Sequence, residues 1–278
     1  MQTSPNQLLI TVNNRLALAL RQQYDQQQAT QGKTVWPSID ITPWSAWLLR
    51  NYEYLLDSGH TQQVLLNTHQ ERLLWQQIVR ESPQGDQLLH SRAAAKKAQQ
   101  AWQLLQDWQL DTQPLSQYGH HETDVFLAWQ TQFRQQCEQH HWISMAELPA
   151  LLCTAMAQQP LPLASQVSLH GFDRFTPQQE ALFEAIRGQN SRVEMAQPDT
   201  SQGVMQRVAC PTLEEECYSA AQWAKQQLAD NPQAKIAIIS PQLAAHRERL
   251  LRIFREVMDP HTLLPGATAD LPFNMALG

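Results

Sequence analysis

The stretch VSLHGFDRFTPQQEALFEAI, Val167 to Ile186, decides how the chain is read. Val167, Ser168, Leu169 and His170 form a short apolar run of the kind that makes a buried strand. Thr176, Pro177 and Gln179 then supply an N-cap, a first-turn proline and a capping-box partner for a helix. Strand, turn and helix in this order are the repeating unit of a parallel α/β sheet. In a nucleotide-hydrolysing domain the end of such a strand carries a carboxylate for Mg²⁺ and usually a second one that positions water. Here His170 and Gly171 stand in those two places.

Upstream, Leu8 to Val12 reads as a strand, and Asn13 caps a helix that begins near Arg15 and carries Leu16, Ala19, Leu20 and Tyr24. A phosphate-binding loop at this point needs glycines, so that backbone N–H groups can surround the anion, and a lysine to reach it. The turn Val12-Asn13-Asn14-Arg15 has neither, which argues against a nucleotide cradle. Gly32-Lys33-Thr34 spells the end of a phosphate loop, but Gln27 stands where the first glycine belongs and the triplet follows a helix instead of opening one. It reads as a surface connection. Ile39 to Ile41 forms a second strand, and Thr42 with Pro43 is expected to cap a helix in which Trp44, Trp47, Leu48, Tyr52, Leu55 and Leu56 repeat at helical spacing. An aromatic stripe of this kind is normally core.

From about Thr61 to Ser165 the signals are helical. Thr68 to Glu71 and Ser144 to Glu147 read as capping boxes. Between them Ala94, Ala98, Ala101, Leu105 and Trp108 mark one face of a long helix, and Phe126, Trp129 and Phe133 mark another. Arg92, Lys96 and Lys97 lie about one turn apart, a pattern that suits either a phosphate backbone or a solvated face. His120 and His121, with Cys137, His140 and His141, lack the paired spacing of a metal site and read as polar helix ends.

Beyond the central stretch, Arg192 to Met195 reads as a strand, and a polar loop follows to Gly203. Gln206 to Cys210 and Lys235 to Ile239 are expected to be strands, the second one buried, on either side of a helix that Thr212 and Glu215 cap. A last helix, Leu243 to Val257, turns Leu250, Leu251, Ile253, Phe254 and Val257 inward. Glu214, Glu215 and Glu216 fall in a first helical turn, where the helix dipole favours acids, and are assigned to capping rather than catalysis. Arg249, Arg252 and Arg255 make the strongest basic stripe, suited to DNA, to another domain or to solvent.

The central run resembles the second helicase motif of UvrD/Rep-type DNA helicases, with His170 and Gly171 in place of its aspartate and glutamate and Phe172 after them. Through GFDRFTPQQ it is more similar to the nuclease-bearing B subunit of AddAB-type helicase-nucleases and to a bacterial group of predicted DNA repair proteins built like it. The unit from EEECYSAAQWAKQQLAD through KIAIIS to ERLLRIF resembles the start of the second motor domain of the same proteins. The resemblance implies a P-loop-helicase-like parallel sheet formed by residues 1–60 and 166–203, interrupted by an all-helical insertion over 61–165, with 204–278 beginning a second α/β motor-like domain that is truncated here. It implies a non-hydrolysing helicase-like module of a DNA repair exonuclease, with a PD-(D/E)XK nuclease beyond Gly278 and no cofactor held by this part. DNA, as single strands or ends, and a helicase partner subunit are the implied partners. Thr42 and Trp44 fall near the motif that touches single-stranded DNA in that family. The candidate DNA contacts are Arg15, Thr42, Trp44, Arg92, Lys96, Lys97, Phe172, Arg174, Arg249, Arg252 and Arg255. Two other readings are an interaction scaffold without DNA affinity and an active ATP-dependent helicase, the latter opposed by the missing phosphate loop and acids.

The 278 residues, 42% hydrophobic and 17% charged, are those of a globular chain with room for one large or two ordinary domains. A formal charge of −6 excludes a generally basic nucleic-acid binder, so any DNA contact must come from a local patch. The four cysteines, Cys137, Cys153, Cys210 and Cys217, are too widely spaced for a zinc site or a disulfide framework. No apolar run reaches the roughly 20 residues that span a bilayer, and the N-terminus lacks the features of a signal peptide, so a cytoplasmic location is expected.

Overall fold

Strand β1 (Gln7–Thr11) is the axis of the first unit: it pairs in parallel with β2 (Asp40–Pro43) on one side and β5 (Gln166–His170) on the other. A fourth parallel strand, β6 (Arg192–Met195), adds to β5, giving the order β2-β1-β5-β6. A computed structural model describes residues 7–85, 90–114, 120–196, 203–264 and 271–276, which divide into two compact units, 1–199 and 200–278. The registers Leu9↔Ile41 and Leu9↔Ser168 set the faces of the sheet. Leu8, Ile10, Val167 and Leu169 pack against α2 (Trp44–Asp57), α6 (Leu148–Gln158) and α7 (Pro177–Gly188). Leu9 and Ile41 meet Ala17 of α1 (Asn14–Thr30) on the other face. Apolar residues therefore run consecutively along the central strands, as expected where a parallel sheet is covered on both sides.

Each helix start follows from a local signal. Asn13 and Thr176 cap α1 and α7 as their sequences predict, and Thr176 and Gln179 complete a reciprocal capping box. Ser144 and Glu147 form another box, opening a 3₁₀ turn, Met145–Glu147, that leads into α6. Two expected caps are corrected. Thr42 belongs to β2, where its hydroxyl donates to Asp40 at 2.9 Å, so Pro43 is the N-cap of α2 and makes no side-chain cap bond. The box at α3 (Thr68–Glu81) is formed by Asn67 with Gln70, one residue before the expected Thr68, because Asn67 Oδ1 reaches the N–H groups of His69 and Gln70.

The insertion contains α3, α4 (Ser91–Asp107) and α5 (His121–His140). It lies between two short strands, β3 (Val64–Leu65) and β4 (Trp142–Ile143), which pair with each other in parallel. Its centre is Trp75 stacked on Phe133, with ring centroids 4.3 Å apart, and Trp102 tilted against the same phenyl ring. Trp102 Nε1 donates to Ser144 Oγ, which in turn donates to Glu147 Oε2 at 2.6 Å, so the aromatic core is tied to the start of α6. The buried face of α4 is Ala95, Ala98, Trp102 and Leu105. It is rotated from the expected one, leaving Trp108 about half exposed. Leu56 of α2 is similarly turned outward while Leu55 is buried.

The second unit has α8 (Leu213–Asp230), α9 (Leu243–Met258) and a 3₁₀ turn at Pro260–Leu263. Cys217 and Ala221 of α8 bury against Leu250, Ile253 and Phe254 of α9. The strands expected at Gln206 to Cys210 and Lys235 to Ile239 do not form among the described residues. Both segments lack ladder bonds, and Val208 and Ile239 are 75% and 90% exposed. A strand needs a neighbour for its N–H and C=O groups, and the two segments, which could pair with each other only across α8, are joined by no backbone bond among the described residues. The polar loop expected from Gln197 lies largely outside the described residues.

Candidate nucleic-acid interface

The chain winds outward from β1 through α1 to β2, and outward from β5 through α7 to β6 on the opposite face. The switch between the two directions lies between β1 and β5, and in open parallel sheets ligands bind in the crevice beyond the carboxyl ends of the strands at that point. Here a short turn without glycine or lysine stands at that crevice. Only Val12 and Asn13 separate β1 from α1. Val12 N donates to His170 O at 3.1 Å, Thr11 Oγ1 donates to Asn13 O at 2.9 Å, and Leu16 N donates to Asn13 Oδ1 at 2.9 Å. The N–H that caps the helix is thus consumed by the chain's own side chain.

Gly171 sits at φ +77°, and a Cβ there would lie 2.6 Å from Leu16 Cδ2 and 3.1 Å from Val12 Cγ1. A side chain at this position would push the end of the Leu16 side chain aside and would have to adopt a left-handed backbone that L-residues disfavour. His170 is buried, with Nε2 3.0 Å from Ser168 Oγ. Burial holds its imidazole below the usual histidine range, so it is neutral near pH 7.

Five sequence-predicted contacts gather at this carboxyl edge, in the first residues after β1, β2 and β5 or at the end of β2. Arg15 and Arg174 are exposed there, and Thr42 is half-buried. Trp44 is half-buried as well, stacked on Trp47 at 5.8 Å and edge-on to Phe183 at 5.4 Å. Phe172 is a correction: it is 7% exposed and wedged among Trp44, Phe175 and Phe183, so it offers no free ring face to a base. The apolar surroundings that α2 and α7 supply explain this, and a phenylalanine beside a tryptophan at strand ends was the available signal.

Arg92, Lys96 and Lys97 are exposed on the outer side of α4, opposite Ala95 and Ala98, and none makes an ion pair among the described residues. The stripe in the second unit is less free. Arg252 donates to Glu214 at 2.7 Å and lies 3.8 Å from Glu256, so the middle cation is neutralised by acids of α8 and of its own helix. Arg255 is half-buried, and Arg249 is exposed. Glu214 thus pairs across the two helices, while Thr212 caps α8 through Glu215 N.

The remaining candidates have local roles. Gly32 lies at φ +77° just past α1, with its N–H on Ala29 O, and Lys33 Nζ reaches Gln28 Oε1, so this triplet ends a helix. His141, at φ +54°, ends α5, and His140 stacks on Trp142. Burial with the nearby Glu147 and Glu71 pushes the Cys137 thiol up to about 12, which keeps it protonated. Among the described residues no group of three or more His, Cys, Asp and Glu side chains is placed to hold a metal ion. Sequence reasoning passed over the Asp40–Arg50 pair, in which one guanidinium nitrogen reaches both carboxylate oxygens at 2.9 and 3.0 Å. Its ten-residue separation gives no helical or hairpin signal.

Compared with protein-family models and with curated protein sequences, the chain matches none. No helix among the described residues is long and apolar enough to cross a membrane.

Proposed function

We propose that the chain is a helicase-shaped module of a DNA repair exonuclease that handles single-stranded DNA or DNA ends without hydrolysing nucleotide. The observation that carries this reading is the switch point itself. A parallel sheet with a ligand crevice in the expected place has there a β1–α1 turn without glycine or lysine, and His170 and Gly171 where carboxylates would stand. The likeness of GFDRFTPQQ to AddB-type proteins supplies the DNA repair context. On this reading DNA meets the local basic patches, Arg15 and Arg174 at the sheet edge and Arg92, Lys96 and Lys97 on the insertion. A helicase subunit is the partner, and a nuclease outside this chain does the cutting.

The test is fluorescence anisotropy of a labelled single-stranded oligonucleotide over a range of salt, with and without Mg-ATP. Binding that falls steeply with salt and ignores ATP is expected. Absence of binding at low salt would favour a scaffold that contacts protein only, and an ATP response would contradict the absence of a phosphate loop.

A further inference from the structure

Helix α4 ends in a fully bonded stop. Gln109 takes a left-handed φ of +48°, its N–H donates to Gln106 O at 3.2 Å, and Leu110 N donates to Leu105 O at 3.0 Å. These two bonds satisfy carbonyls that a helix end otherwise leaves open, and they pin the last turn. Trp108, the residue between helix and stop, is 49% exposed, and neither a ring contact nor a hydrogen bond occupies its indole among the described residues. Leu104, one turn earlier, is 54% exposed. Lys97, Ala101, Leu104 and Trp108 fall at i, i+4, i+7 and i+11, so they form one line along the outer side of the helix. Arg92 and Lys96, four residues apart, make a second line beside it. All three cations are exposed and enter no ion pair among the described residues. The nearest acids in sequence stand at the other end: Asp107 accepts from Gln103 Nε2 at 2.8 Å, and Asp111 accepts from Gln113 N at 2.9 Å. The outer side of α4 therefore has a cationic half and, about 16 Å along at roughly 1.5 Å per residue, an aromatic half from which the acids turn phosphates away.

We infer that this side of α4 holds a single-stranded nucleic acid, with phosphates on Lys96 and Lys97 and an unpaired base stacked on the Trp108 indole against Leu104, a site that rests on the DNA reading above and supplies the residue that takes the base. Free cations along a helix beside an open aromatic ring are the two parts of a single-strand site. A protein–protein interface is the other use of exposed leucine and tryptophan, but its core is depleted of lysine, and Lys97 lies on the same line as both side chains. A duplex keeps its base faces stacked on one another, so only an unpaired base can use the ring.

The test titrates the full chain by fluorescence anisotropy with two labelled strands of equal length, oligo-dT and an abasic strand that keeps the phosphates and lacks the bases. Trp108→Ala should weaken oligo-dT binding by roughly five- to a hundredfold, the worth of one stacked base, and leave abasic binding unchanged. Trp108→Tyr, which keeps a ring, should retain most of the affinity. Lys97→Gln should lower the salt slope by about 0.7 on both strands, and Trp108→Ala should leave that slope as it is. Equal affinity of parent and Trp108→Ala protein for oligo-dT, or an equal loss on both strands, would overturn the base site while the DNA reading stands. A parent chain that binds neither strand at low salt would remove the DNA reading and the base site together. Dissociation of an oligomer in Trp108→Ala protein, seen by light scattering with oligo-dT binding unchanged, would give the patch to a second copy of the chain instead.

Discussion

At the scale of the residue, Gly171 and Glu71 carry the most. Gly171 combines a left-handed backbone with contact against Leu16. Gly171→Ala should cost about 2–4 kcal/mol, the sum of a disfavoured φ and overpacking. Leu16→Ala in the same chain should recover the packing part alone, which denaturant unfolding of the single and double variants resolves. Glu71 is 6% exposed in the core of the insertion. Burial raises its carboxyl above the ordinary range, the Gln99 side chain opposes this, and the Glu147 carboxylate adds to it. A raised folded pKa means that the native state holds the proton more tightly than the unfolded one. The ionised side chain therefore costs stability at neutral pH, and that cost is relieved as pH falls through the folded pKa toward the unfolded value of about 4.3. Glu71→Gln should be more stable than the parent at pH 7, and the gap should narrow as pH falls through the folded pKa toward about 4.3 in parallel melts.

At the scale of the element, the first unit was readable because each strand and helix carries its own signal: a consecutive apolar run, an asparagine or threonine cap, a proline at the first turn. Where the expectation slipped, a neighbouring residue made the better bond, as Asn67 did in place of Thr68 and Asp40 did for the Thr42 hydroxyl. The face of α4 was misplaced by a fraction of a turn, since an alanine-rich helix gives little contrast between inside and outside. The surroundings of the switch point were only half legible. The missing glycines and lysine could be read, but the contact of Leu16 with Gly171 depends on β1 and β5 lying side by side, which sequence order does not reveal. The apolar segments of the second unit look like strands by composition, yet pairing is a property of two segments and not of one. Amide hydrogen exchange should accordingly find residues 206–210 and 235–239 unprotected in this chain and the inner faces of α8 and α9 protected. Protection of either segment would show a ladder that the fold described here lacks.

At the scale of the whole molecule, a negative chain that binds DNA must do so through few cations, and that bounds its response to salt. Replacing Arg92, Lys96 and Lys97 together by glutamine should lower the salt slope of single-strand binding by at most about 2, at roughly 0.7 for each phosphate no longer neutralised. An unchanged slope would assign those side chains to solvation. The arrangement of β3 and β4 has a different consequence. The chain leaves the sheet domain along one strand of this pair and returns along the other, and the two run in the same direction. A short turn joins antiparallel strands only, so parallel ones always need a crossover between them. The insertion can therefore lengthen, shorten or be exchanged between chains as a cassette that contains enough structure to carry the chain back to its starting end. It cannot be trimmed to a hairpin, and a deletion that spares the sheet domain has to take both strands of the pair with it.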